Sequence, residues 1–177
     1  MDRANYSVEQ RVAISQCLLK KDSWLEFCAN GPWEVTETNK KEQFEISQCV
    51  SADHALPCLK STGIFDFSVM QMFACLHNSK YRPQYDSNIE SASMISKVAA
   101  NTYMIYQKTK SMLVVSSRDL VLMHHVAKVQ HPTLCPNGGI LIMAFTPTPE
   151  QDQLHPESKG AVRAFCHVST SFFFALI

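Results

Sequence analysis

Hydrophobic and polar positions alternate with two different periods along this chain, helical near its start and strand-like over its second half. Ser7-Val8-Glu9-Gln10 has the S-x-x-Q form of a capping box, and Val8, Val12, Ser15 and Leu19 follow at helical spacing. The pattern predicts a first helix, with Lys20 and Lys21 near its C-terminal end and Asn30-Gly31-Pro32 as the turn beyond it. Phe44, Ile46, Gln48 and Val50 alternate with Gln43, Glu45, Ser47 and Cys49, which predicts a half-buried strand. A second capping box, Ser68-Val69-Met70-Gln71, opens a short helix whose Val69, Met72, Phe73 and Leu76 share one face and read as core.

From Glu90 onward the texture becomes β-branched and aromatic, and strands are predicted over residues 94–100, 102–107, 113–129, 140–146 and 161–168. Turn-rich separators stand between them, notably His131 to Gly139 and Pro147-Thr148-Pro149. Helix, strand, helix and then a run of strands predicts an α+β fold with an antiparallel sheet. No repeat or long linker divides the chain, so residues 1–177 read as one domain. The sheet's concave face calls for a covering element, yet the sequence stops just after a strand.

Composition narrows the function classes. At 46% hydrophobic and 18% charged residues the chain can bury a core, and disorder is not expected. Sixteen basic residues balance sixteen acidic ones, so no net field draws in nucleic acid or an anionic surface. Seven cysteines, an odd number without a CxxC pair, and a start lacking a signal peptide's apolar run imply free thiols in a reducing, cytoplasmic setting. The longest apolar stretch, residues 172–177, is far too short to span a bilayer.

Candidate chemistry is sparse. His124, His125, His131 and Cys135 form the densest group of metal-ligand types, but adjacent strand residues point to opposite faces, and no metal or other cofactor is expected. No nucleophile elbow or phosphate-cradling glycine loop is present, and Asn137-Gly138-Gly139 reads as a hairpin turn. Arg118 and Asp119 open a strongly apolar strand from opposite sides, so each needs its own partner.

Ser117-Arg118-Asp119-Leu120-Val121 resembles the S-P-R-D-F-V strand opening of the START family of lipid-transfer domains, with Ser117 for Pro and Leu120 for Phe. Tyr81-Arg82-Pro83-Gln84-Tyr85-Asp86-Ser87-Asn88-Ile89 resembles that family's Y-R-x-x-W-D-x-x-V segment, Tyr85 replacing Trp. Residues 67–73 fit its capped second helix, and Lys159-Gly160-Ala161-Val162-Arg163-Ala164 its K-G-x-V-R-A strand. The likeness runs from about Trp33 to about Val168, with the motifs in the family's order.

This resemblance implies a helix-grip fold, a curved antiparallel sheet around a C-terminal lid helix, enclosing a tunnel for one sterol, phospholipid or sphingolipid, without catalysis. It implies a lipid partner and transient membrane contact; the oligomeric state stays open. The lid helix is missing from the sequence, whose residues 171–177 fit no family motif, and poor solubility is expected. Positions carried over from the Arg-Asp pair place the lipid's polar group near His124, Gln107 and His167, with Leu120, Leu122 and Met143 as apolar lining. Such a lining suits a neutral head group, a hydroxyl or amide, better than a phosphate. Arg118, Asp119, Tyr85, Asp86 and Arg163 read as fold determinants. Two alternatives remain, a helix-grip enzyme using His124 with His167 as an acid/base pair, and a non-functional or regulatory fragment of a longer lipid-transfer protein.

Overall fold

A computed structural model describes residues 7–50, 57–153 and 155–175. They form two compact units, one of residues 20–67 and one joining the residues up to 19 with those from 68 onward. Helix α1 (Val8–Asn30) contributes to both. Its capping box closes in both directions, the Gln10 amide donating to Ser7 Oγ at 3.2 Å and the Ser7 amide to Gln10 Oε1 at 2.9 Å.

The helix does not end at Lys20 and Lys21, because nothing in residues 22–29 breaks it; it runs on to Asn30. Gly31 stops it: its amide donates to Phe27 O at 2.8 Å, and a Cβ there would stand 2.5 Å from that oxygen. The predicted stripe is also corrected. Val8, Val12 and Leu19 are exposed, while Ala13 and Cys17 are fully buried. Near the helix start, Gln10 Nε2 donates to Val98 O at 2.8 Å, which turns the small residues rather than the large ones inward.

The smaller unit holds an antiparallel sheet of β1 (Glu34–Asn39), β2 (Phe44–Cys49) and β3 (Cys58–Gly63), in that order. Only β2 is legible from its pattern, and its inward face is the opposite of the expected one: Ser47 and Cys49 are buried, and Val50, beyond the strand, is exposed. Strands β1 and β3 are mostly exposed and carry little hydrophobic signal; backbone pairing to β2 on either side holds them.

After the first part of α1, the larger unit resumes with α2 (Val69–His77), capped reciprocally by Ser68 and Gln71 as predicted. A 3-10 turn (Ser79–Tyr81) and α3 (Arg82–Tyr85) lead into β4 (Ile89–Ala99), β5 (Thr102–Thr109), β6 (Ser117–His131) and β7 (Cys135–Phe145). After α4 (Pro149–Asp152) come β8 (Ala161–Arg163) and β9 (Ser169–Phe173). The strands run β4-β5-β6-β7-β9 as antiparallel neighbours, and β8 pairs with β6.

Several strand expectations change. β4 begins at Ile89 and β7 at Cys135, so Asn137-Gly138-Gly139 lies within β7, and the turn before it is confined to residues 132–134. Residues 113–116 are not strand: Met112 and Val115 exchange both backbone hydrogen bonds around Leu113, whose φ is +46°, and Leu113 and Val114 are fully exposed. β8 is short and parallel to β6, an alignment that puts Arg163 opposite Asp119. Residues 169–173, beyond the expected end of the sheet, form a further strand, Phe172 lying opposite Leu141 and Phe173 opposite Ile140.

The pleat sorts the central strands into two faces. Val121 and Met123 of β6, Met104 and Tyr106 of β5, and Leu141, Met143 and Phe145 of β7 share the buried core face. The other face bears Ile105, Gln107, Leu122, His124, Ile142 and Ala144. Asp119, fully buried on the core face, accepts from Arg163 Nε at 2.9 Å and from the Ser158 amide at 2.7 Å. Arg163 goes on to Asp152 at 2.7 Å and to His155 O at 3.0 Å, so one ion-pair network fastens residues 152–163 to β6. Arg118 points the other way and donates to Ser116 O at 2.8 Å, so the adjacent charges take separate partners.

Candidate functional site

The face opposite the core meets α2, which lies against β7 and β9. The stripe expected to be core is not: Val69, Met72, Phe73 and Leu76 are only half buried, because α2 covers the sheet without closing on it. Beneath the helix is a cavity of about 80 Å³, or about 580 Å³ with the space open to solvent at its mouth. Leu76, Ser79 and Arg82 line it from the helical side; Ile105, Gln107, Leu122, His124, Ile142 and Ala144 form its floor, with Ala92, Ser169 and Ser171 on the flanking strands. Cross-strand pairing puts Gln107, Leu122 and His124 on that floor because each occupies the same phase of the pleat.

His124 is the polar centre of this wall. Only 6% of its surface is exposed, and Nε2 is buried without a hydrogen-bond partner. Burial, with the nearby His77, His125 and Arg82 adding repulsion, pushes its pKa down to about 4. The ring is therefore neutral near pH 7, and its open nitrogen can donate or accept one hydrogen bond according to tautomer.

His77, at the end of α2, lies with its ring 5.4 Å from that of His124 and 5.4 Å from that of Tyr103, and stacks on Phe73 at 4.9 Å. Its Nδ1 is likewise buried without a partner, and burial lowers its pKa. Arg82 spends one guanidinium nitrogen on Asp86 at 3.0 Å, while its buried Nε has no partner. The arrangement is a half-open cleft of mixed polar and apolar lining, with the neutral His124 on its floor and an arginine whose charge Asp86 offsets. It can hold an apolar body and orient one polar group.

Three of the six expected lining residues, Gln107, Leu122 and His124, come together here. Leu120 shares their side of β6 but lies outside the cavity. Met143 pairs with His125, not His124, and is fully buried on the core face. His167 is exposed, with its ring against Phe165 at 4.7 Å, so it does not join His124 in the cavity. The histidines of the expected metal-type group also separate: His125 Nδ1 meets Thr102 Oγ1 at 2.9 Å, and His131 accepts the Thr133 and Leu134 amides at the β6–β7 turn. Among the described residues no three His, Cys, Asp or Glu converge as metal ligands, and no helix is long and apolar enough to cross a membrane.

His77 and Arg82 are the additions. Arg82 lines the cavity, and His77 stands beside His124 through their ring contact. His77 continues the face set by Val69 and Phe73 at the next i+4 step, and Arg82 stands in the Tyr-Arg motif, but neither marks itself as part of the site without the fold.

Among solved structures, human StAR-related lipid transfer protein 5 superposes with a TM-score of 0.78 at 19% identity, covering 92% of this chain and 74% of that one. Human STARD10 gives 0.68 at 20% identity, covering 85% and 58%. The lipid transfer and protein localization domain of human StarD13 (DLC2) gives 0.63 at 16% identity, covering 90% and 76%. These likenesses establish the helix-grip fold. No curated protein matches the sequence. The START domain family matches residues 8–173, nearly the whole chain, and the protein therefore belongs to the START domain family.

Proposed function

We propose that this START domain binds one lipid without catalysis, seating the lipid's polar group against His124 and its apolar body along Leu122, Ile105 and Ile142. The observation that carries this reading is the buried, unpartnered Nε2 of His124 on the wall of a cleft whose apolar lining includes Leu122, Ile105 and Ile142. A buried polar atom without a partner costs about 1–3 kcal/mol, and a ligand hydroxyl or amide would relieve that cost. Membership in the family and the lipid-transfer relatives support the ligand class.

The cavity, about 80 Å³, is smaller than the roughly 300–1,000 Å³ of small-molecule sites. A lipid therefore enters by displacing α2 outward, a helix that buries no residue fully. Because His124 is neutral and Asp86 offsets Arg82, a neutral head such as a sterol hydroxyl or a sphingolipid amide suits the wall better than a phosphate. The lipid approaches through transient membrane contact.

Native mass spectrometry of the chain expressed in a eukaryotic host tests the reading. A co-purifying lipid with an uncharged head, displaced at least tenfold more readily from His124→Leu than from the parent chain, is expected. A chain that takes up no sterol, ceramide or phospholipid from mixed vesicles, or one that holds lipid equally well in His124→Leu, overturns it.

A further inference from the structure

Cys49 ends β2 and Cys58 opens β3, and the register sets them directly opposite each other. They close an unbroken run of pairs from Phe44 opposite Gly63 onward, with no bulge to shift the alignment. Directly opposed residues of an antiparallel ladder have Cα atoms about 4.5 or about 5.5 Å apart, depending on the kind of site, and project side chains to the same face. Disulfides span Cα separations of roughly 4.4–6.8 Å and Cβ separations of about 3.5–4.5 Å, which the closer, non-hydrogen-bonded kind of site meets directly and the wider kind meets with a small approach of the strands.

Both thiols are free. They differ in access: Cys49 is 3% exposed, with Sγ 3.8 Å from Val50 O, whereas Cys58 is half-buried. No other two cysteines face one another in the strand pairings of the described residues. Cys135 lies opposite His131, and Cys17 and Cys28 are separated by about 16 Å along one helix.

We propose that Cys49 and Cys58 are an oxidative modification site, forming a reversible cross-strand disulfide by exchange with a low-molecular-weight disulfide such as glutathione disulfide. Cys58, the accessible thiol, attacks as its thiolate: a bond forms between its sulfur and one glutathione sulfur, the glutathione S–S bond breaks, and one glutathione thiolate leaves. Cys49 then attacks the Cys58 sulfur of the mixed disulfide and expels the second glutathione. The two protein thiols are oxidised, one disulfide is reduced to two thiols, and the two protons lost by the cysteines end on the departing glutathiones. The product staples β2 to β3 and closes the chain between them, so it restrains opening of the smaller unit's sheet. The proposal concerns that unit alone and stands or falls independently of the cavity.

The test equilibrates the full chain in glutathione buffers of graded ratio, quenches with acid, alkylates the remaining thiols and maps the peptides by mass. A peptide pair joined through Cys49 and Cys58, returned to two alkylated thiols by reductant, is expected at ratios that leave Cys17 and Cys28 reduced. Cys49→Ser should trap glutathione on Cys58, while Cys58→Ser should leave Cys49 unmodified. The proposal is overturned if both cysteines remain alkylatable while the exposed Cys75 gathers glutathione, or if Cys58 is joined to another cysteine instead. The parent chain's map decides between these outcomes even where a serine variant folds poorly.

Discussion

His124 ties the cavity to solution pH. Its unfolded-state pKa is near 6.5 and its folded value about 4, so between these limits the unfolded chain takes up a proton that the native chain refuses. Stability is thus fully present above pH 6.5, falls as pH drops toward 4, and levels off below; the total is on the order of 3 kcal/mol. Burial lowers the pKa of His77 as well, which adds to the loss in the same direction. Urea midpoints followed from pH 7 to 4 should therefore fall less steeply in His124→Gln than in the parent chain; parallel slopes would show that His124 is not held neutral by the fold.

Asp119 works at the other end of the scale. Burial raises its pKa, but the hydrogen bonds from Arg163 and the Ser158 amide outweigh that, and the carboxylate stays ionised below its usual range. Its contribution is present above the ordinary carboxylate pKa and is lost only at lower pH, which separates it from the histidine window. Because Asp119 is fully buried, Arg163→Met strands a charge and should cost about 3–5 kcal/mol in denaturant unfolding. A second change, Asp119→Asn, should recover part of that cost; a double variant no more stable than Arg163→Met would mean that the ion pair does not set the penalty. The opposite orientations of Arg118 and Asp119 follow from strand alternation, and so were readable in advance. Which partner Asp119 takes was not, because Arg163 is brought to it by a parallel pairing 44 residues away.

Elements were legible where local chemistry alone fixes them. The capping boxes at Ser7 and Ser68 fix two helix starts through side chains three residues apart, and strands β5, β6 and β7 carry enough β-branched and aromatic residues to declare themselves. Strands held by their neighbours escaped. β1 and β3 exist because β2 lies between them, and β9 because β7 offers it a free edge. The apolar run from Met112 to Val115 misled for the complementary reason, since its hydrophobicity sits on a turn closed by its own backbone and exposed to solvent. Gln107, Leu122 and His124 on β5 and β6 followed from the family resemblance, whose Arg-Asp pair fixed the register, with the pleat keeping Leu122 on the face of His124, though Leu120 on the same side fell outside the cavity. Met143 was misplaced because the phase of β7 depends on the length of the preceding turn. That dependence on close strand contact gives a test at Gly139. A Cβ there would stand 2.7 Å from Phe173 O, so Gly139→Ala must push β9 away from β7. Hydrogen exchange at residues 169–173 should quicken while β5 and β6 keep their protection; unchanged exchange in β9 would show that the two backbones can part without loss.

At the scale of the whole chain, net charge and exposed apolar surface act together. Sixteen positive and sixteen negative side chains leave a formal charge of zero and a pI of about 7.0, so molecules near neutral pH lack the mutual repulsion that keeps proteins apart. At the same time Leu113 and Val114 project fully into solvent, and Phe65, Phe67, Met94 and Phe165 are each more than half exposed. With nothing to repel approaching copies, contacts among these side chains are favourable by roughly 25 cal/mol per Å² of apolar surface they cover. Self-association should accordingly peak near pH 7 and weaken toward pH 9, where the balance of charge turns negative. It should also weaken in Leu113→Lys/Val114→Glu, which removes the most exposed apolar pair without altering net charge. Sedimentation velocity at micromolar concentration decides it: a chain that is monomeric at pH 7 with a cooperative melt would show that the exposed residues are too scattered to act as an adhesive surface, and association unchanged in the double variant would place that surface elsewhere on the molecule.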